Sequence, residues 1–241
     1  MKPTLTFPVI VPAAGVGKRM QADCPKQYLL INNQTVLSHT VMTLLSHPQI
    51  SQVVLVLSES DRYFSKLALA QQEKVLRVNG GKERVNSVLN GLKAVDQAKY
   101  PWVLVHDAAR PCVSHTDIDK LISSCLTHNS GGVLATPVRD TMKRSKSSEC
   151  AYDLIKNTVE REDLWHALTP QLYKTQELTN AIEQGIAKGL NITDESSAIE
   201  YANLPSLLVS GNSDNIKITH PNDLVLATFY LNNDLNHKTK G

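Results

Sequence analysis

Short runs of aliphatic and aromatic residues recur along this chain, apolar at nearly every position: Phe7 to Val11, Gln52 to Leu57, Val75 to Val78, Trp102 to Val105 and Val133 to Ala135. Between them the apolar residues change period. Val36, Leu37, Val41, Leu44 and Leu45 fall at helical spacing, as do Tyr63, Phe64, Leu67 and Ala68, then Val85, Val88, Leu89 and Leu92, then Ile118, Leu121, Ile122, Cys125 and Leu126. A strand with no polar side cannot face water, so each run has to be covered above and below. Strands of that kind alternating with helices predict an α/β fold: a mostly parallel sheet with helices on both faces, joined by right-handed crossovers. With 241 residues and 41% hydrophobic content, one domain spanning 1–241 can bury such a core.

Ligands of such sheets bind beyond the carboxyl ends of the strands. The first strand runs into Pro12-Ala13-Ala14-Gly15-Val16-Gly17-Lys18-Arg19-Met20, with Cys24-Pro25-Lys26-Gln27 close behind. A loop of Ala and Gly leaves its N–H groups uncovered, and the cations Lys18, Arg19 and Lys26 beyond it point to an anionic ligand, phosphate first of all. The loop is not a Walker A sequence, because Arg19 stands where Ser or Thr must follow Gly-Lys and Pro12 stands at the first glycine position. Met20 occupies the third small position of a dinucleotide fingerprint, which weakens a hydride-transfer reading. The plain alternative is a glycine-rich strand-to-helix turn carrying surface Lys and Arg. Three further junctions follow predicted strands: Asn79-Gly80-Gly81-Lys82-Glu83-Arg84, His106-Asp107-Ala108-Ala109-Arg110-Pro111 and Pro137-Val138-Arg139-Asp140-Thr141.

A net charge of +2 offers no broad electrostatic footprint, so neither nucleic acid nor a membrane is an expected partner and any anion binding is local. Cys24, Cys112, Cys125 and Cys150 form no C-x-x-C pair or His-spaced cluster, which fits free thiols in a reducing compartment. No charged-then-apolar leader precedes Phe7, and no apolar run reaches membrane-spanning length. A cytoplasmic location is the expectation.

Residues 140–163 break the pattern, being polar and lacking a helical stripe. Thr141-Met142 and Thr158-Val159-Glu160-Arg161 can pair as strands, which predicts a protruding arm rather than a disordered loop. An arm that cannot bury itself does so on a partner, so a homodimer with arm exchange is expected. Beyond it the sequence predicts a helix near Gln176 to Lys188, a turn at Ile192-Thr193-Asp194-Glu195 leading into a helix to Ala202, a strand at Leu207 to Val209, the segment Asn215-Ile216-Lys217-Ile218-Thr219, and a last helix entered through Pro221.

The loops supply backbone donors, fixed cations and one strand-end carboxylate, with no Ser-His or Cys-His arrangement. That is equipment for phosphoryl or nucleotidyl transfer. The set Pro12-Ala13-Ala14-Gly15-x-Gly17-x-Arg19-Met20, Pro25-Lys26-Gln27, Gly80-Gly81-x-x-Arg84-x-x-Ser87, His106-Asp107-Ala108-Ala109-Arg110-Pro111, Thr158-Val159-x-Arg161, Thr169-Pro170-Gln171 and Asn215-Ile216-Lys217-Ile218-Thr219 resembles the 2-C-methyl-D-erythritol 4-phosphate cytidylyltransferases, across nearly the whole chain and in order. The resemblance implies a Rossmann-like sheet of the nucleotide-diphospho-sugar transferase type with an extended dimerisation arm. It also implies the reaction of CTP with methylerythritol phosphate, on the non-mevalonate route to isoprenoids, with Mg2+ or another divalent cation.

By the same resemblance Arg19, Lys26, Arg161 and Lys217 are catalytic, the first two at the transferring phosphoryl group and the last two holding the polyol phosphate. Ala13, Ala14, Gly15, Gly17, Gly81, Lys82 and Ser87 fall to CTP. Lys82 stands where relatives often carry an acidic residue, which a backbone contact tolerates. Asp107, Arg110, Thr141 and Thr169 fall to the polyol phosphate, with Asp107 as the one candidate metal ligand and the metal otherwise held by CTP phosphates. Plainer roles stand beside these: Lys18 and Lys143 as solvated charges, Asp107 as a turn cap, His106 and His166 as packed structural histidines, Thr193-Asp194 as a helix N-cap. Two other functions remain open from sequence, a ribitol 5-phosphate cytidylyltransferase and a catalytically silent nucleotide-binding regulator.

Overall fold

In the computed structural model, which describes residues 5–15, 24–147 and 152–238, the apolar runs become β1 (Phe7–Pro12), β4 (Ile50–Leu57), β5 (Val75–Asn79), β6 (Trp102–Val105) and β7 (Gly131–Pro137). A small hairpin, β2 (Leu30–Ile31) and β3 (Gln34–Thr35), precedes α1 (Val36–Leu45), and α2 (Arg84–Lys93) and α3 (His115–His128) follow β5 and β6. The second half adds β8 (Met142–Lys146), β9 (Leu154–Val159), β10 (Trp165–Lys174), α4 (Thr175–Ala187), α5 (Glu195–Tyr201), β11 (Ser206–Ser210) and α6 (Pro221–Lys238). The main sheet has the order β11-β7-β10-β6-β1-β4-β5. Every neighbouring pair is parallel except those made by β10.

β1 shows why its run carries no polar face. Phe7, Val9 and Val11 enter one core, shared with Leu37, Val41 and Leu44 of α1 and Ile118, Leu121 and Cys125 of α3. Ile10 points the other way, into a core built with Val88 and Leu92 of α2 and Leu178 and Ile182 of α4. Successive side chains of a strand leave opposite faces, so a sheet with helices on both sides needs apolar residues at both parities.

Two expectations change. Tyr63 to Ala68 form no α-helix but two short 3-10 turns, Phe64–Lys66 and Ala68–Gln71. Asp61 Oδ1 accepts from the N–H groups of Tyr63 (3.1 Å) and Phe64 (2.9 Å), which favours a tight turn, and Leu67 between the turns is extended. So short a stripe does not repay helix nucleation. The second change is β10, a central strand that periodicity does not reveal. Thr169-Pro170 reads as a break, and the β10–β7 ladder does shift register between Ala167 and Gln171, around a proline that has no N–H to give. The chain nevertheless resumes the ladder, because Leu172 and Tyr173 are buried against β6 and β7.

The predicted pairing of the arm is present as the antiparallel hairpin β8–β9, with Met142 opposite Val159 and Lys143 opposite Thr158. Its side chains are exposed throughout β8 and nearly throughout β9, including Ile155 at 65% and, between the strands, Tyr152 at 81%. Cys24 and Cys125 are free thiols, Cys112 is buried, and Cys150 lies outside the described residues. Among the described residues no helix is long and apolar enough to cross a membrane.

Candidate active site

The carboxyl ends of β1, β5 and β6 converge on one cavity of about 230 Å³. Ala13, Ala14, Gly15, Gly81, Lys82 and Ser87 are among the residues that line it, as are Lys26, Arg84, Asp107 and Lys217. Gly17 and Arg19 lie outside the described residues. All the other residues expected at the nucleotide, together with Lys26, Asp107 and Lys217, therefore share one hollow.

The small-residue loops of the cavity are shaped by backbone contacts. Gln27, 4% exposed, donates from Nε2 to the carbonyls of Ala13 (2.7 Å) and Gly15 (3.2 Å), which fixes the first loop and explains Gln in the Pro25-Lys26-Gln27 signature. Gly80 is needed where the loops meet, since a Cβ there would stand 2.7 Å from Ala14 Cβ and 3.0 Å from Ser87 Oγ. Ser87 Oγ accepts from the Gly81 N–H (3.1 Å) and donates to the Glu83 carbonyl (3.1 Å), so its hydroxyl shapes the second loop.

The charged residues of the cavity are organised around Asp107, at the end of β6 and 7% exposed. Lys217 Nζ lies 2.8 Å from Oδ2, Arg84 3.3 Å from Oδ1 and Arg110 Nε 3.5 Å from Oδ2. Burial alone would raise this carboxyl, but Arg84, then Lys217 and Arg110, outweigh it and hold Asp107 well below the usual carboxylate range. Lys217 reaches the site because residues 215–219 cross over the loop after β6: the Ile218 N–H donates to the Ala109 carbonyl at 2.8 Å, and Lys26 Nζ donates to the Ile218 carbonyl at 2.8 Å.

Arg110 and Thr169 stand behind the cavity. Arg110 donates to the Asn215 carbonyl (2.6 Å), and Asn215 Nδ2 donates to the Thr169 carbonyl (2.7 Å). His106 is fully buried, and its Nε2 faces the Arg110 carbonyl at 3.0 Å, which makes Nε2 the protonated nitrogen. Its Nδ1 then accepts from the Thr169 hydroxyl (3.0 Å), whose oxygen accepts the Asp107 N–H (3.0 Å). His106 is thus structural as expected, whereas His166 is exposed on β10 rather than packed.

Burial pushes the His106 imidazole down to about 4. Between that value and the ordinary 6.5 the unfolded chain binds the proton and the folded chain does not. Stability from this group is therefore complete above pH 6.5 and is lost as the pH falls toward 4, by about 3 kcal/mol. Urea unfolding at pH 7.5 and pH 4.5 should show that loss, and His106→Asn should flatten the slope between the two; an unchanged slope would remove His106 as its source.

Thr141 and Arg161 are not brought to this cavity within one chain. Thr141 is exposed just before β8. Arg161 donates to the Arg139 carbonyl and lines a second hollow at the base of the arm with Val138, Leu164 and Trp165. Asp194 is the N-cap of α5, accepting from the Ser197 N–H at 3.0 Å, as the plainer reading had it. Sequence reasoning passed over Glu195, the first residue of α5 and 1% exposed, which forms a two-point pair with Arg84 at 2.7 and 3.1 Å. Only its place beside a helix cap could have drawn attention to it. Arg84 lies within the motif Gly80-Gly81-x-x-Arg84, whose spacing alone assigns it no role.

The profile of the 2-C-methyl-D-erythritol 4-phosphate cytidylyltransferases matches residues 7–233. The chain belongs to this family. The Colwellia psychrerythraea 2-C-methyl-D-erythritol 4-phosphate cytidylyltransferase is 69% identical over 241 residues, covering 98% of this chain and 99% of its own. A Vibrio vulnificus enzyme of the same name is 55% identical, covering 95% of this chain and 96% of its own. The crystal structure of the Francisella tularensis 2-C-methyl-D-erythritol 4-phosphate cytidylyltransferase superposes with a TM-score of 0.81 at 33% identity, over 93% of this chain and 99% of that one. The sheet described above is thus shared with that relative.

Proposed function

We propose that this chain transfers a cytidylyl group from CTP to 2-C-methyl-D-erythritol 4-phosphate, giving 4-diphosphocytidyl-2-C-methyl-D-erythritol and pyrophosphate. The observation that carries the reading is a single cavity lined both by small residues, Ala13, Ala14, Gly15 and Gly81, and by the cations Lys26, Arg84 and Lys217. The first suits a base read by backbone edges, and the second suits phosphates. A phosphate oxygen of the polyol phosphate attacks the α-phosphorus in line, the bond from that phosphorus to the bridging oxygen breaks, and the electron pair leaves with pyrophosphate.

No covalent enzyme intermediate is needed. Lys26, with Arg19, neutralises charge that grows on the α-phosphoryl oxygens and the leaving group. Lys217, held by Asp107, receives the polyol phosphate, and Arg110 supports Asp107 from behind the cavity. Arg161 and Thr141 complete that half from a partner's arm in a cytoplasmic homodimer.

The family resemblance implies a divalent ion, and the donor set tests where it belongs. Both oxygens of Asp107 face cations, and among the described residues no group of three or more His, Cys, Asp or Glu side chains is placed to hold a metal. The chain does not form a metal-binding set at this point, so the magnesium is assigned to the phosphates of CTP. Asp107 is assigned to the substrate and its cations.

Pyrophosphate release measured with CTP and a panel of polyol phosphates tests the assignment. Methylerythritol phosphate should exceed ribitol 5-phosphate in kcat/KM by at least about 100-fold, because hydroxyls that miss their partners leave buried polar groups unpaired. Equal turnover of the two, or none of either, would overturn it. CTP should exceed ATP by a similar factor, because backbone groups of the small Ala13-Ala14 and Gly81 loops can match one base edge. Comparable kcat/KM for ATP would refute a cytidylyl-specific site.

A further inference from the structure

Arg84 and Glu195 meet at the junction of two helix starts. Arg84 is the first residue of α2 and Glu195 the first of α5, with the Glu195 side chain 2% exposed. One guanidinium nitrogen of Arg84 lies 2.7 Å from Glu195 Oε1. The other is shared, 3.1 Å from Glu195 Oε2 and 3.3 Å from Asp107 Oδ1. Glu195 does not line the cavity, whereas Arg84 and Asp107 both do.

The two carboxylates therefore divide Arg84 between them. A two-point pair fixes both the position and the plane of a guanidinium. With Arg84 fixed, a single N–H reaches Asp107 Oδ1, and Oδ2 is left to Lys217 and Arg110. Three cations set against two buried carboxylates leave one net positive charge in the cluster. Without the charge on Glu195, Arg84 would turn fully onto Asp107 and compete with Lys217 for it, or turn into the cavity as an extra phosphate clamp.

α5 is itself tied to the sheet next to this pair. Gln171 of β10 donates to Asp194 Oδ2 at 2.9 Å and accepts from the Ser196 N–H at 2.8 Å. Glu195 thus has a rigid base from which to hold Arg84.

We propose that Glu195 is a positioning residue for the polyol-phosphate half of the site: through Arg84 it fixes Asp107 and so determines where Lys217 presents its ammonium group. This rests on the nucleotidyl-transfer reading above. The test begins with wild-type protein, CTP and methylerythritol phosphate, so an inactive wild type would count against that reading and not against Glu195 alone.

Given an active wild type, Glu195→Gln keeps the shape and removes the charge. It should lower kcat/KM for methylerythritol phosphate by about 10–100-fold, the range expected when a reacting group is displaced by a fraction of an ångström to about 1 Å. The KM for CTP should change by no more than about twofold. A purely structural Glu195 would instead lower the melting temperature and leave both kinetic constants of the folded enzyme alone, which overturns the proposal.

Should Glu195→Gln fail to fold, because it takes the two-point partner from a partly buried guanidinium, the comparison passes to Arg84→Gln and the double variant Arg84→Gln/Glu195→Gln. The double variant leaves no unpaired charge. If Glu195 acts only through Arg84, the two have equal kcat/KM for methylerythritol phosphate. A further tenfold loss in the double variant would show that Glu195 acts by another route and would refute the proposal.

Discussion

Lys26→Ala is expected to slow the single-turnover transfer of the cytidylyl group by roughly 100- to 1,000-fold while weakening CTP binding by less than about tenfold. The side chain stands in a 3-10 turn, Lys26–Tyr28, pinned by Gln27 beneath the first loop and by its own bond to the Ile218 carbonyl. A cation held so firmly needs no rearrangement as negative charge grows on the α-phosphoryl oxygens. Its effect is therefore larger in the transition state than in the ground state. Rapid-quench measurement of the first turnover, beside equilibrium CTP titration, separates the two effects. An unchanged chemical rate with poorer CTP affinity would reduce Lys26 to a ground-state clamp.

The second large effect concerns assembly. Lys26→Ala and Arg161→Ala homodimers should each lose about 100-fold or more in activity, whereas a mixed dimer with one copy of each should regain about half of the wild-type rate. Arg161 sits at the base of the hairpin β8–β9, in a hollow separate from the one that holds Lys26 and Asp107. The hairpin exposes Leu154 and Ile155, apolar side chains that enter none of the hydrophobic cores. Both facts are accounted for if the arm crosses to a second subunit and delivers Arg161 to that subunit's cavity. The two lesions of the mixed dimer then fall together in one site and leave the other whole. A mixed dimer no more active than its parents would mean that Arg161 serves its own subunit.

Much of the architecture was legible in the chain because it depends on local signals. Runs such as Phe7 to Val11 and Trp102 to Val105 carry apolar residues at both parities, and only a sheet covered on both faces can bury them. The loops at Ala13, Gly80-Gly81 and Asp107 follow directly from those strands, so their convergence on one sheet edge was legible too. The hairpin of the arm was read from two short segments able to pair.

What the sequence could not reveal lies in contacts between distant segments. β10 was hidden because Thr169-Pro170 mimics a break, and it is a strand only because β6 and β7 leave a place for it between them. The stripe at Tyr63 to Ala68 failed as a helix because Asp61 captures its first N–H groups. Glu195 carries no motif. Its role comes from packing that brings residue 195 against residue 84 and residue 84 against residue 107. The sequence by itself determined the fold class, the loops that line the cavity and the family, since apolar periodicity and motif spacing are properties of neighbouring residues. The pairing of Arg84 with Glu195 and the three cations gathered on Asp107 were decided by the tertiary structure alone, because a buried charge takes its partners from whatever the closed fold places within a few ångströms.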